Sequence, residues 1–123
     1  MCAHPRCGCI AVSVLCALFL WASAALASDV QKGQVTLLDI GSDCLPCALQ
    51  DTIVRRVEKA FGESVRFVYI DIEKKPEIQE KYAVKTIPTL IFFNKNGEEV
   101  QRNSGYMKES AIRERLTKLM DTE

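Results

Sequence analysis

The sequence predicts an α/β domain with the element order β-α-β-α-β-β-α, a central mixed sheet flanked by helices. Three observations carry that expectation. Short apolar, β-branched runs alternate with stretches of helical periodicity. An Asn96-Gly97 pair marks a tight hairpin. A C-x-x-C pair, Cys44 and Cys47, falls where the first strand gives way to the first helix.

The first 27 residues are set apart from the domain. Arg6 precedes an uncharged apolar run, Ile10 to Leu20, and small residues follow to Ala25-Leu26-Ala27. This is the three-part pattern of a secretory signal, with cleavage expected after Ala27 and the domain spanning 28–123. Residues 10–27 approach the lower length of a spanning helix, so an uncleaved leader would act as a membrane anchor instead. With the leader go Cys2, Cys7, Cys9, Cys16 and His4, which leaves Cys44 and Cys47 as the only thiols and no histidine. A domain so composed has no Cys–His or Ser–His pair, and two thiols cannot close a four-ligand zinc site. No metal and no cofactor are expected. Sixteen basic and sixteen acidic residues balance, which argues against a nucleic-acid surface.

Val35 to Ile40 is apolar and stops at Gly41-Ser42, as a buried strand would. From Leu45 the pattern turns helical. Leu49, Ile53, Val57 and Phe61 follow i, i+4 spacing with Val54 beside them, while Arg55, Arg56, Glu58 and Lys59 take the other face, and Gly62 ends the run. Val65 to Ile70 reads as the second strand. Pro76 opens a short helix through Tyr82. Thr89 to Phe93 is the third strand, and Glu99 to Ser104 returns from the Asn96-Gly97 turn. Ile112, Leu116 and Leu119 stripe a closing helix over Lys108 to Met120. The crossover helices imply parallel pairing among the early strands, and the hairpin adds antiparallel pairing.

Cys44 sits where the first helix begins, and unpaired N–H groups and the helix dipole favour an anion there. Cys44 is therefore the expected nucleophile. Cys47, one turn on, is placed to attack it and close a disulfide. A loop this short adds little stability as a staple, so the pair is read as chemistry. Pro46 between them fixes the backbone at the helix start. Pro88, opening the third strand in Thr86-Ile87-Pro88-Thr89, suggests a cis bond, since proline is otherwise awkward in a sheet.

These residues resemble the thioredoxin family. The likeness rests on Cys44-Leu45-Pro46-Cys47, Tyr69-Ile70-Asp71, Lys81-Tyr82-Ala83-Val84, Thr86-Ile87-Pro88-Thr89, Phe92-Phe93-Asn94-Lys95-Asn96-Gly97 and Gly105. It covers about Val35 to Met120 and implies a thioredoxin-like fold with a redox-active Cys44–Cys47 disulfide. It also implies that Pro88 is a cis-proline beside the dithiol that helps bind substrate backbone, with Ile87 and Gly105 flanking the same groove.

The sequence departs from the family at several positions. The usual tryptophan before the first cysteine is Asp43, whose carboxylate disfavours a neighbouring thiolate. Asp43 is therefore expected to raise the Cys44 pKa relative to an Asp43→Asn variant. The family's buried acid behind the second cysteine aligns, without gaps, with Leu38. Asp39 is one residue off and would need a bulge or a one-residue deletion near Gly41-Ser42-Asp43 to serve as proton acceptor for Cys47. The lysine that often accompanies that acid is absent, with Phe67 near its place.

The resemblance implies a thiol–disulfide oxidoreductase, and the leader makes it an extracytoplasmic one, expected as a periplasmic monomer with a secreted or leader-anchored form as the alternatives. It is expected to reduce disulfides in exported proteins and to be recharged by a membrane electron-donor protein. An oxidase or isomerase is the alternative direction. A redox-inert binding or chaperone module using Pro88, Ile87 and Tyr106 is the alternative class.

Overall fold

The computed structural model describes residues 29–122. The expected leader, residues 1–27 with its four cysteines and His4, lies outside the described residues. The elements follow in the anticipated order: β1 (Val35–Gly41), α1 (Leu45–Phe61), β2 (Val65–Asp71), α2 (Glu77–Lys81), β3 (Thr89–Phe93), β4 (Glu99–Ser104) and α3 (Glu109–Asp121). A 3-10 turn over Gly62–Ser64 joins α1 to β2.

The sheet order is β2-β1-β3-β4. β1 and β2 are parallel, while β3 runs antiparallel to both β1 and β4. The expected parallel pairing of the early strands thus holds only for β1 and β2. α2 has five residues, about 7.5 Å of helix, too short to carry the chain back along a strand. Residues 72–88 therefore stay at the end of the sheet where β2 finishes, and β3 starts there in the opposite direction. This reversal brings Thr89, the first residue of β3, opposite Ile40 near the end of β1.

The period-two alternation of β1 divides the core. Val35 and Leu37 pack with Val54 and Val57 of α1, Leu90 and Phe92 of β3, and Ile112 and Leu116 of α3. Leu38 and Ile40 face the other way, with Ile70, Ile78, Ile91 and Phe93. By the same alternation Asp39 points to the α1 side. The helical stripe of α1 is rotated from its expected position. Cys47, Gln50, Ile53, Val54 and Val57 are buried, whereas Leu49 is 54% exposed. Spacings of three and four from Cys47 select Gln50, Val54 and Val57, so burial of Cys47 against β1 fixes the rotation and turns Leu49 outward.

Candidate functional site

Four elements meet at one end of the sheet: the end of β1, the start of α1, the start of β3 and the end of β4. Cys44 is the N-cap of α1, in extended conformation, and its Sγ accepts a hydrogen bond from the Cys47 N–H at 3.2 Å. That N–H belongs to the helix's unpaired first turn, so the sulfur sits where backbone donors favour negative charge. Cys44 and Cys47 are joined as a disulfide. Their accessibility differs, for Cys44 is half-buried and Cys47 is only 5% exposed.

Close approach of β1 makes the burial of Cys47 possible. A Cβ at Gly41 would lie 3.2 Å from Cys47 Cβ and 3.5 Å from its Sγ. A side chain there would press on Cys47. Continuing the β1–β3 register by one residue from Ile40 and Thr89 sets Pro88 opposite Gly41, and so beside the dithiol. The Ile87–Pro88 peptide is cis. Pro88 is buried and Ile87 half-buried. Gly105, at φ +91°, donates its N–H to the Pro88 carbonyl at 2.7 Å. That left-handed conformation suits glycine and ties the end of β4 to the proline. The N–H and C=O of Ile87 have no backbone partner among the described residues.

Asp39 lies beneath this end, 6% exposed, with Oδ2 enclosed and without a hydrogen-bond partner. It shares a cleft of about 720 Å³ with Gly41, Asp43, Cys47, Asp51 and Tyr69. Burial, reinforced by the nearby Asp51 charge and opposed by Arg55, pushes the Asp39 carboxyl up to about 7. β1 pairs without interruption from Val35 to Gly41, so no bulge is used. Asp39 reaches the α1 side by the plain alternation of an undistorted strand, on the same face as Val35 and Leu37. The register sets the residue across from the acid. Phe67 pairs with Leu37, and the residue across from Asp39 is Tyr69.

The structure thus brings Cys44, Cys47, Pro88, Ile87, Gly105 and Asp39 to one end of the sheet. Asp43 is there too but is exposed. Tyr106 is exposed beside Gly105. Gln50 was not anticipated from the sequence. Its side chain is fully buried, accepts the Met107 N–H at 2.7 Å and donates to the Met107 carbonyl at 3.3 Å. A polar residue at helical spacing from Cys47, Val54 and Val57 was the available signal. Arg55 was visible only as a charge on the polar face of α1, and its i, i+4 partner Asp51 was not singled out.

The thioredoxin family model matches residues 19–118. The thioredoxin of Bacillus subtilis is 31% identical over 75 residues, which cover 61% of this chain and 71% of the relative. That of Rickettsia bellii is 31% identical over 69 residues, covering 56% and 65%. Among solved structures, Fasciola hepatica thioredoxin superposes with a TM-score of 0.64 at 33% identity, covering 71% of this chain and 82% of the other. Chloroplastic thioredoxin z, at 20% identity and a TM-score of 0.67, shares the fold and covers 72% and 80%.

Proposed function

The chain belongs to the thioredoxin family, and on that premise we propose that it reduces disulfides in exported proteins through Cys44 and Cys47. Thiol–disulfide exchange comes with the family and the cysteine pair. The reductive direction, the exported setting and the partners are our reading. The observation that carries it is the asymmetry of the pair: a half-buried Cys44 at a helix N-terminus and an enclosed Cys47 beside a buried carboxyl.

In the reduced protein the Cys44 thiolate attacks one sulfur of a substrate disulfide. A mixed disulfide forms, and the other substrate sulfur leaves as a thiolate that takes a proton from water. Asp39, ionised, accepts the Cys47 proton. The Cys47 sulfur then attacks Cys44 Sγ, the mixed disulfide breaks, and the second substrate sulfur leaves. Two electrons have passed to the substrate, and Cys44–Cys47 is oxidised. A membrane-held dithiol carrier restores it. Substrate backbone pairs with the free N–H and C=O of Ile87 while Pro88 and Gly105 shape the groove, and the protein works as a monomer.

Proline next to the second cysteine favours the reducing direction by analogy. The leader pattern over residues 10–27 favours export. In the test, domain 28–123 with dithiothreitol precipitates insulin chains, and Cys44→Ser abolishes this. An inactive wild type would point to the binding module. A reduction potential at or below about −230 mV supports a reductase, and one near about −120 mV overturns it. Export is checked by the N-terminus of the protein recovered from the producing cell. A chain starting at Ser28 outside the cytosol agrees with the reading, and one retaining residues 1–27 in the cytosol opposes it.

A further inference from the structure

Asp51 and Arg55 stand one turn apart on α1, with Arg55 Nε 2.9 Å from Asp51 Oδ2 and side chains 56% and 39% exposed for Arg55 and Asp51. An exposed pair of this kind adds little to stability. Its surroundings give it a second consequence. Asp51 lines the cleft that contains Asp39 and Cys47. Arg55 lies over the Tyr69 ring, its guanidinium carbon 4.3 Å from the centroid. Tyr69 is the β2 residue paired with Asp39. The Tyr69 hydroxyl donates to Glu58 Oε2 at 2.9 Å, so it is directed away from the unpartnered Asp39 Oδ2.

The groups around Asp39 can be taken element by element. α1 presents Asp51 and Arg55, and β2 presents Tyr69 and Asp71. The segment after β2 brings Glu73, Lys74 and Lys75 to the cleft, and the β1–α1 connection brings Asp43. On the other side β3 contributes Leu90, which is apolar. Lys74 is drawn to Asp71 at 3.3 Å. The ion pair on α1 is thus the charge arrangement held in place by the aromatic partner of Asp39 itself.

We propose that Asp51 and Arg55 are positioning residues for the proton transfer between Cys47 and Asp39: Asp51 directs negative charge into the cleft, and Arg55, seated on Tyr69, offsets it. The inference rests on the reading of Asp39 as the base for Cys47. Burial is the main reason Asp39 holds its proton, with Asp51 adding to the effect and Arg55 opposing it. Together they set the pH range in which Asp39 can take the Cys47 proton.

The two members of one ion pair should then act with opposite sign. The Asp39 carboxyl is followed by carbon-13 NMR across pH in the oxidised protein. Asp51→Asn should move the midpoint down by about half a pH unit, and Arg55→Gln should move it up by about as much. Arg55→Lys should stay near the parent, and the Asp51→Asn/Arg55→Gln double variant should fall back toward it. In the reduced protein, the pH at which insulin reduction reaches half its maximal rate should follow the same order. If both single variants move Asp39 in the same direction, or neither moves it, the proposal is overturned, because a pair that only braces the helix behaves that way. The titration needs no substrate and no turnover. A protein that titrates as expected but does not reduce insulin therefore refutes the functional reading and not the electrostatic one.

Discussion

A carboxyl enclosed beneath Cys47 can ionise only at a cost in folding free energy, and the sign of that cost fixes a pH window. Asp39 titrates at about 7 in the folded protein, against an ordinary value of 3.8. Below the ordinary value it is protonated in both states and costs nothing. Stability is lost as pH rises through the interval and the unfolded chain releases its proton first; above about 7 the whole penalty applies. An interval of this size corresponds to a loss on the order of 4 kcal/mol. Asp39→Asn, which keeps the shape and removes the charge, should raise the urea-unfolding free energy of the oxidised protein by about 2–4 kcal/mol at alkaline pH. Little gain is expected under acid conditions. An equal gain in both conditions would show that burial of charge is not the cause. The same change should slow attack by Cys47, because its proton acceptor is gone. On the proposed reading of Asp39 as proton acceptor, folding stability is traded for chemistry.

Among the elements, α1 does two tasks, presenting Cys44 at its start and holding the β4–α3 connection through Gln50. Both Gln50 bonds go to the Met107 backbone, two residues beyond Gly105. Gln50→Leu would keep most of the volume and leave a buried N–H and C=O unpaired, at a cost of about 2–4 kcal/mol. Amide exchange at Met107 should quicken well beyond the change at Ile112, deep in α3. Uniform acceleration would mean only global destabilisation. The sequence made β1, α1 and the Asn96-Gly97 hairpin legible because their signals are local: apolar runs, helical spacing and turn chemistry. Cys44, Cys47 and Pro88 were legible for the same reason. Three features depend on residues far apart in sequence. Leu49 fits an apolar stripe as well as Gln50 does, until Cys47 docks on Gly41 and fixes the rotation of α1. The pairing of Asp39 with Tyr69 is a matter of register between strands. The direction of β3 depends on how little of residues 72–88 is helix.

At the scale of the whole molecule, charge and apolar surface divide the work of recognition. Sixteen basic and sixteen acidic residues cancel, so no long-range field draws substrates of one sign. Of the four exposed large apolar side chains among the described residues, Val100 stands on β4 and the other three follow the cysteines or Gly105. Leu45, 75% exposed, follows Cys44 directly, and Leu49 lies one turn further along α1. Tyr106 joins them through the Gln50–Met107 bonds, which hold the segment after Gly105 against α1. A protein substrate offering a disulfide to Cys44 would cover these side chains, and a small linear disulfide would not. Leu45→Glu/Leu49→Glu should therefore raise KM for insulin about tenfold, equivalent to about 1.4 kcal/mol of lost apolar contact. Turnover of a small aromatic disulfide should stay close to the parent. Rates with insulin should also vary little with ionic strength in the unmodified protein, because screening weakens charge attraction and leaves apolar burial in place. Equal losses on both substrates would mean that the two glutamates disturb the helix start and the Cys44 thiolate, since that damage would not depend on substrate size. A steep fall of the parent's rate with salt would mean that a local charged patch steers binding, despite the balance of the whole.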